Sequence, residues 1–426
     1  MNPASFPGPE QIRQHQFANG LTLLLYENFT AESVSLEGVV RAGALAEGRE
    51  QAGLAAFTAD CLLRGTTSRS FEQIYDELES VGASLGISGG RHLTGFSGDG
   101  LAEEFDLLLT LLADALRQPV FPTAQVEQVR GEILTGLQIR ANDTGQMAAL
   151  AFYEALYPDH PYGRSSSGYP ETIGQISRDN LAQFHHDYYG PAGMILTVVG
   201  AVRYEEAVAK VEAVLGDWHV PHQRPLPAVP PIQRPLMTQR RHVAMPGKSQ
   251  TDILLGVPGP SSAAADYLTA SLANTILGVF GMMGRLGEAV REERGLAYYA
   301  YSQLGGGFGP TPWLASAGVA PEQVEEAAAS MIAEIERLMV EPVDAEELAD
   351  NIAYRTGSMP VSLETNDGLA SAITSMALYN LGLDYLQRYP QMIGAITAAD
   401  IQAVMQQYWR TDQLVIATAG PGGSGQ

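Results

Sequence analysis

Two stretches of this chain repeat one pattern at a constant spacing. Residues 176–200 are ISRDNLAQFHHDYYGPAGMILTVVG, and residues 396–420 are ITAADIQAVMQQYWRTDQLVIATAG. Every position of the second stretch lies 220 residues after its counterpart, so the two align without a gap. Tyr188 of the first copy, for example, corresponds to Tyr408 of the second. Such self-similarity indicates that the chain arose by internal duplication.

Each copy predicts the same local structure. Ser177 and Thr397 are N-cap residues for short helices, and each helix is followed by an aromatic pair, a turn and a β-rich strand. We therefore expect two homologous α/β (α+β) domains, residues 1–216 and 237–426, each a mostly antiparallel sheet packed with helices. The intervening residues 217–236 are rich in proline, which predicts a stiff, extended linker.

The composition predicts a folded protein without affinity for polyanions. Among 426 residues, 25 are basic and 48 acidic, which gives a formal net charge of −23, and 45% are hydrophobic. This balance can supply a buried core, and it argues against binding to nucleic acid or to an anionic membrane. The first ten residues have no signal-peptide pattern, and no run of eighteen uncharged apolar residues occurs. These features predict a soluble, cytoplasmic protein.

Several common catalytic and metal-binding patterns do not fit this sequence. The single cysteine, Cys61, lies in an apolar run, which predicts a buried and unreactive thiol. The adjacent His185 and His186 would point about 100° apart on a helix and would not share one metal ion. Residues 86–90 fit G-x-S-x-G, but no helix follows as in a nucleophile elbow, so we interpret them as a glycine-rich strand.

The helix predicted within residues 52–66, AGLAAFTADCLLRGT, resembles a metallopeptidase helix. In the inverzincins, the insulinase/pitrilysin-like family that includes insulin-degrading enzyme and mitochondrial processing peptidase, the segment is roughly G-L-A-H-F-L-E-H-x-L-F-x-G-T. Its two histidines hold zinc from one helix face, and its glutamate activates the zinc-bound water. The resemblance places Ala56 and Asp60 at the histidine positions and Ala59 at the glutamate position. It therefore implies that this helix binds no zinc.

The same family has a third zinc ligand, a glutamate on a later helix, and Glu132 matches that position. With Asp60 as the only other candidate ligand, the pair offers two carboxylates and no imidazole, which makes a poor zinc site. A weak Mg²⁺ or Ca²⁺ site at this pair is one alternative; otherwise Glu132 is a relic or a surface carboxylate. We predict no metal or other cofactor in this chain.

Further resemblances extend over nearly the whole chain. In the second half, residues 277–286 resemble the family's glycine-rich turn, and residues 291–298, REERGLAY, resemble its R-E-x-R-G-L-A-Y motif. The family binds substrate through the first and last residues of that motif, which are Arg291 and Tyr298 here. A guanidinium and a phenol can both donate to one carbonyl oxygen and stabilise an oxyanion. The residues alone favour a structural role, in which Arg291 caps a helix C-terminus or pairs with Glu288 and Tyr298 starts a strand as packing.

The loss of one half-site and the retention of the other suggest a function. The chain resembles the zinc-free subunit of a heterodimeric bacterial peptidase, in which a homologous partner supplies zinc and the H-x-x-E-H helix. The resemblance implies peptidase activity only with that partner, on flexible peptides that lie along a sheet edge by strand addition. The alternative is a structural or assembly protein of the processing-peptidase-like family without a role in proteolysis. A self-sufficient metallopeptidase would need an unrecognised metal site.

Overall fold

The computed structural model describes residues 6–422, which form two compact units. Unit 1 comprises residues 6–136, 165–228 and 360–388, and unit 2 comprises residues 137–164, 229–359 and 389–422. Each unit is built on one mixed sheet with packed helices. The predicted fold class, two α/β (α+β) domains with mostly antiparallel sheets, is confirmed.

Unit 1 contains a six-stranded sheet in the order β1-β2-β6-β3-β5-β4. Only the β2–β6 pair is parallel; the other pairs are antiparallel. Residues 86–89 of the G-x-S-x-G stretch lie in strand β4, as the sequence predicts, and Gly90 follows it directly. The strands are β1 (Ile12–Gln16), β2 (Thr22–Glu27), β3 (Ser33–Val40), β4 (Ser84–Gly89), β5 (Thr94–Leu101) and β6 (Ile195–Gly200).

Unit 2 contains a five-stranded sheet in the order β7-β11-β8-β10-β9. Here too one pair, β7–β11, is parallel and the remaining pairs are antiparallel. Strands β8 and β10 are buried along their whole length, which makes them the centre of the unit. The strands are β7 (Gln239–Ala244), β8 (Thr251–Pro258), β9 (Ala297–Leu304), β10 (Pro312–Val319) and β11 (Val415–Gly420).

Fifteen helices occur in the described residues, and they follow the strands in both units. In the first half they are α1 (Leu54–Cys61), α2 (Phe71–Ser80), α3 (Phe105–Arg117), α4 (Thr123–Ala141), α5 (Thr144–Leu156), α6 (Pro170–Gln175), α7 (Arg178–Tyr188) and α8 (Tyr204–Leu215). In the second half they are α9 (Tyr267–Gly278), α10 (Phe280–Leu286), α11 (Val324–Val340), α12 (Ala345–Ser362), α13 (Asn366–Leu378), α14 (Tyr385–Gly394) and α15 (Ala398–Tyr408).

The duplicated stretches have the same secondary structure residue for residue. Helices α7 and α15 begin and end 220 positions apart, and so do strands β6 and β11. Ser177 and Thr397 both accept a hydrogen bond from the backbone N–H three residues later, at 3.2 Å in each case. These contacts confirm the predicted N-caps and show why each helix begins where it does.

The two compact units do not coincide with the two halves of the chain on either side of the linker. One segment of each half belongs to the other unit. Helix α5, from the first half, packs against β8 and β11 of unit 2, where Phe152 and Leu156 join the buried cluster. Helix α13, from the second half, packs against β3 and β6 of unit 1. The exchange follows from burial, because each sheet has an apolar face and each of these helices has an apolar side to cover it. Within the proline-rich linker the chain passes from unit 1 to unit 2 at residues 228 and 229.

Helix length and composition were compared with the requirements of a membrane span. In residues 6–422 no single helix is long and apolar enough to cross a bilayer. The pair Tyr267–Gly278 and Phe280–Glu292, bent by 91°, meets the length and composition criteria when taken together.

Candidate functional site

Helix α1, which carries the degenerate zinc motif, is held at its first turn by a buried carboxylate. Glu47 is 8% exposed and accepts hydrogen bonds from the backbone N–H groups of Gly53, at 2.9 Å, and of Ala55. Gly53 has a φ of 96°, which glycine adopts at little cost. The first N–H groups of a helix lack intrahelical partners and attract negative charge, so Glu47 fixes the start of the motif helix.

The three motif positions lie on α1 beside the last strand of the unit 1 sheet. Ala56, Ala59 and Asp60 all fall within this helix, and α1 packs on β4. The approach is close, because a Cβ on Gly89 would lie 2.7 Å from the Cα of Ala56. In the described part of the chain β4 pairs only with β5, so the motif helix lies next to a sheet edge.

The structure brings Glu132 of α4 to the same end of α1, as the family resemblance implies. Arg64, one turn beyond Asp60, donates from Nη2 to Oε2 of Glu132 at 2.7 Å. Asp60 is exposed, but neighbouring protein still desolvates its carboxyl group in part, and this desolvation raises its pKa to about 6. Arg64 opposes that rise and Glu132 adds to it. The result is a cluster of two carboxylates and one guanidinium.

These residues do not fit a zinc ion. The motif positions supply no imidazole, and the carboxylate of Glu132 is already bound by Arg64. Zinc in proteins is held mainly by histidine and cysteine, usually with four ligands. Across residues 6–422, no group of three or more His, Cys, Asp or Glu side chains is arranged to hold a metal ion. We therefore derive no metal chemistry at this helix.

The other candidates near α1 are one cysteine and two adjacent histidines that differ in burial. Cys61 is fully buried, as predicted, and burial raises the pKa of its thiol to about 12. His185 stacks on Tyr189 with ring centroids 4.9 Å apart, and burial lowers the pKa of this histidine to about 4. His186 instead stacks on His222 at 3.9 Å. The adjacent histidines thus face different neighbours.

In unit 2 the glycine-rich turn leads into the segment that carries Arg291. Gly281, Met283 and Gly284 have φ values of 61°, 75° and 63°, so helix α10 is interrupted within one turn. A π-helical turn, Gly287–Glu292, follows directly. Such turns are rare and occur often at functional sites. The side chain of Arg291 is 30% exposed, and its Nε lies 3.5 Å from Glu292 Oε1.

Tyr298 lies on β9, the outermost described strand on that side of the unit 2 sheet, against which the π-helical turn packs. Its side chain is 81% exposed. The next residue, Tyr299, is half-buried and donates its hydroxyl to Asp252, which is 3% exposed. Packing therefore accounts for Tyr299 and not for Tyr298. Arg291 forms an ion pair with Glu292 and not with Glu288, the partner considered from the sequence.

Comparison with known families assigns both halves of the chain. The family model described as insulinase (peptidase family M16) matches residues 23–168, which include α1 and Glu132. The model described as the peptidase M16 inactive domain matches residues 175–353, which include Arg291 and Tyr298. The chain belongs to the insulinase family of peptidases.

Proteins of similar sequence and structure agree with this assignment. An uncharacterized zinc protease of Mycobacterium leprae is 29% identical over 67% of this chain and 64% of that protein, so the chain spans slightly less than two thirds of it. The crystal structure of a peptidase M16 inactive domain from Pseudomonas fluorescens has a TM-score of 0.89 at 25% identity, covering 97% and 99% of the two chains. A protease from Helicobacter pylori shares the fold, with a TM-score of 0.91 at 18% identity and coverage of 98% and 100%.

Two residues of this insulinase-family site escape prediction from the motif alone. Glu47 lies seven residues before Leu54, the first residue of the helix that it holds, in a segment without a recognised capping pattern. Arg64 follows the motif by one helical turn, a spacing that places it beside Asp60, but its partner Glu132 is distant in sequence. The tertiary contacts decide both roles.

Proposed function

We propose that this chain is the zinc-free subunit of a heterodimeric zinc peptidase. In this proposal Arg291 and Tyr298 bind and position the peptide substrate, and a homologous partner supplies the H-x-x-E-H helix with its zinc. Membership of the insulinase family and the match to an inactive-domain model support a peptidase-like role. Two of the three motif positions on α1 hold alanine, which cannot bind zinc or activate water. This supports the proposal that the subunit does not cleave peptides alone.

The observation that carries the proposal is the exposure of Tyr298. A phenol that is 81% exposed on an edge strand contributes little to folding, and its neighbour Tyr299 already fills the packing role. Exposed aromatic and arginine side chains are the residues that binding surfaces use most. Arg291 is in the turn that packs on the same strand. Both side chains are thus available to a ligand rather than to the core.

The edge strand β9 also suggests how a peptide would bind. A strand with one unpaired edge has free N–H and C=O groups, and an extended peptide can pair with them as an added strand. Arg291 and Tyr298 offer N–H and O–H donors to a carbonyl oxygen of such a peptide. Donors of this kind polarise the carbonyl and stabilise the negative charge that develops when water attacks. Zinc in the partner would supply the activated water, while this chain holds the substrate in register.

The test is an activity assay with and without the partner. The chain is expressed alone and together with a zinc-motif homologue from the same organism, and cleavage of a flexible fluorogenic peptide is measured. We expect no cleavage by the chain alone and cleavage by the mixture. Arg291→Ala and Tyr298→Phe are each expected to reduce kcat/KM of the mixture by about 100-fold, the usual cost of losing a donor to an oxyanion.

Arg294→Ala serves as the matched control for charge. Arg294 is exposed and lies three residues from Arg291, outside the proposed site, so its removal is expected to leave cleavage unchanged. An inactive mixture, or full activity of both site variants, contradicts the proposal and favours the alternative of a structural or assembly protein. Stoichiometric zinc in the isolated chain would contradict the assignment of the zinc to the partner.

A further inference from the structure

The sheet of unit 2 lacks one strand that the sheet of unit 1 has. In unit 1 β2 pairs in parallel with β6, and its other side is covered by β1. In unit 2 β7 pairs in parallel with β11, which lies 220 residues after β6, so β7 is the counterpart of β2. In the described part of the chain no strand pairs with the other side of β7. This side of β7 is therefore an open edge where unit 1 has a further strand.

The sequence before β7 explains why the chain does not cover this edge itself. Strand β1 ends six residues before β2 begins, and the segment in the same position before β7 is residues 229–233, VPPIQ. Its two prolines have no N–H and cannot donate to a strand ladder. The segment packs on the core instead, since Val229 and Ile232 contact the buried cluster of unit 2. His160 holds it there by donating from Nε2 to the carbonyl of Pro230 at 3.0 Å.

The backbone along the open edge is available for hydrogen bonds. The N–H groups of Gln239 and Met245 donate to carbonyl oxygens of the β11 segment, at 2.8 and 2.6 Å. Successive residues of a strand direct their backbone groups to opposite sides, so those of Arg240, His242 and Ala244 point away from β11. Within residues 6–422 these groups have no strand partner. They can pair with an added strand.

The open edge is also a basic region of an acidic protein. Residues 229–251 contain four basic side chains and no aspartate or glutamate, in a chain whose net charge is −23. Exposed guanidinium groups lie on β7 and beside its first residue, on Arg234, Arg240, Arg241 and Arg410. In the described chain the one ion pair among them joins Arg240 to the exposed Glu325, at 2.7 Å. The positive charge of this edge is thus mostly left without a carboxylate.

Three contacts place the remaining arginines. Thr238, which directly precedes β7, donates its hydroxyl to the carbonyl of Thr411 at 3.3 Å, so Arg410 lies beside the start of the strand. Arg234 lies near Arg410: burial lowers the pKa of the Arg234 guanidinium, and the Arg410 charge lowers it further. Arg241 donates from Nη1 to the outward carbonyl of the preceding residue at 3.2 Å. Like charges held this close favour an anionic ligand.

Two apolar side chains beside these arginines face solvent. Leu236 is 94% exposed and Met237 is 70% exposed. Charged side chains on an edge strand also protect a protein from aggregation, but exposed leucine and methionine have the opposite effect. Arginine and methionine are both enriched in protein interfaces. The combination is therefore typical of a binding surface rather than of a protected edge.

We propose that β7 binds an acidic, extended segment of a partner protein as a sixth strand of the unit 2 sheet. Main-chain hydrogen bonds align the segment, its carboxylates pair with Arg241 and Arg410, and its apolar side chains cover Leu236 and Met237. A nucleic acid matches the arginines but has no alternating N–H and C=O groups. A second copy of the chain places the same arginines opposite each other. This edge is opposite to β9, so the inference does not depend on the proposed function.

Fluorescence anisotropy with the full chain and synthetic peptides tests the proposal. The probe is a fluorescent ten-residue peptide in which glutamate and valine alternate. One matched control has glutamine in place of glutamate, which removes the charge. The other has N-methyl groups on the central amides, which keep the charge and block strand pairing. We expect the Kd to be about tenfold weaker for each control, and high salt to weaken the binding of the glutamate peptide.

Variants of the chain locate the binding at β7. Arg241→Gln with Arg410→Gln removes two exposed arginines that have no carboxylate partner in residues 6–422, and we expect it to lose about tenfold in affinity for the glutamate peptide. The matched control is Arg203→Gln with Arg294→Gln, which makes the same change in net charge at exposed positions elsewhere. It is expected to bind like the wild type.

A further variant tests strand pairing rather than charge. Ala244→Pro removes an N–H that points away from β11, so it blocks the open edge and leaves the bonds between β7 and β11 in place. Ala244→Ser keeps the N–H and is the control. We expect weaker binding for the proline variant alone, by about tenfold, with circular dichroism spectra like that of the wild type for both.

Each outcome supports or overturns the proposal. Equal affinity for the glutamate and glutamine peptides, or wild-type binding by the Arg241→Gln/Arg410→Gln variant, overturns it. Equal binding of the N-methylated peptide, or of an oligonucleotide of ten thymidines, shows a surface for anions in general and overturns strand addition. Equal weakening by the Arg203→Gln/Arg294→Gln control reduces the effect to net charge and also overturns it. None of these measurements involves cleavage, so the proposed function is tested separately.

Discussion

Units 1 and 2 both place a helical segment beside an edge strand, but they present opposite chemistry there. In unit 1 α1 lies against β4, and the motif positions hold Ala56, Ala59 and Asp60. In unit 2 the π-helical turn lies against β9, and the corresponding edge presents Arg291 and Tyr298 to solvent. The comparison teaches that the scaffold and the reactive side chains of this fold can change independently.

The charges around the two edges follow the same contrast. In unit 1 they are paired internally, since Glu47 caps a helix and Glu132 is bound by Arg64. In unit 2 Glu288 and Asp350 face a cavity with an excess of carboxylates. Internal ion pairs and helix caps stabilise the fold, whereas like charges close together cost stability.

The strongest test of the structural role of unit 1 is removal of the α1 cap. Glu47→Ala eliminates an ionised acceptor of two buried backbone N–H groups, and we expect it to lower the free energy of unfolding by about 3 kcal/mol. Urea denaturation followed by circular dichroism measures the change. Glu50→Ala, at an exposed position three residues away, is the control and should cost less than about 0.5 kcal/mol. A loss below about 1 kcal/mol for Glu47→Ala would show that the cap does not hold the helix.

A smaller effect with a defined pH dependence is expected at Glu37 on β3. Burial, with Asp367 and Asp99 nearby, raises the pKa of Glu37 from 4.5 to about 7. The folded state therefore holds the proton on Glu37 more tightly than the unfolded state does. The stability that this proton contributes is complete below pH 4.5 and is lost as the pH rises through 7. Glu37→Gln is expected to be more stable than the wild type at pH 8, by about 2 kcal/mol after allowance for solvent contact.

Thermal unfolding at several pH values checks this expectation. The advantage of Glu37→Gln should shrink steadily as the pH falls and disappear near pH 4.5. Asp367→Asn, at an exposed position on α13, removes one of the repulsive charges and should narrow the difference between wild type and Glu37→Gln at pH 8. A pH-independent difference would show that packing, rather than charge, distinguishes Glu37 from glutamine.

The smallest effect separates the two neighbouring tyrosines of unit 2. Tyr298→Phe is expected to change the free energy of unfolding by less than about 0.5 kcal/mol, because the side chain is 81% exposed. Tyr299→Phe removes the hydroxyl that donates a hydrogen bond to the buried Asp252, and it should lower the free energy of unfolding by about 1–2 kcal/mol. Chemical denaturation of both variants gives the two values. Equal losses would mean that Tyr298 serves the fold and is not reserved for a ligand.

The sequence predicts those parts of the fold that depend on local patterns. The offset of 220 predicts both helices and both strands of the repeat, and Ser177 and Thr397 predict where the helices begin. The resemblance to a metallopeptidase helix correctly leads to α1 and places Glu132 near it. The roles of Arg291 and Tyr298 stay predictions, supported by the exposure of the tyrosine.

Other features could not be predicted because they depend on tertiary contacts. The largely apolar sequence of α5 does not show that this helix packs on the sheet of unit 2. The acidic cavity combines carboxylates from residues 288–292 with others from 344–350, so neither stretch alone indicates a recess.

The exchange of helices α5 and α13 determines when the chain can finish folding during synthesis. All six strands of unit 1 have been made once Gly200 is added, but α13, which covers β3 and β6, ends at Leu378. At roughly 5–20 residues per second, the ribosome needs on the order of ten seconds or more to reach that helix. During this interval the part of the first sheet that α13 covers in the folded protein stays exposed, and exposed apolar surface of this kind favours aggregation.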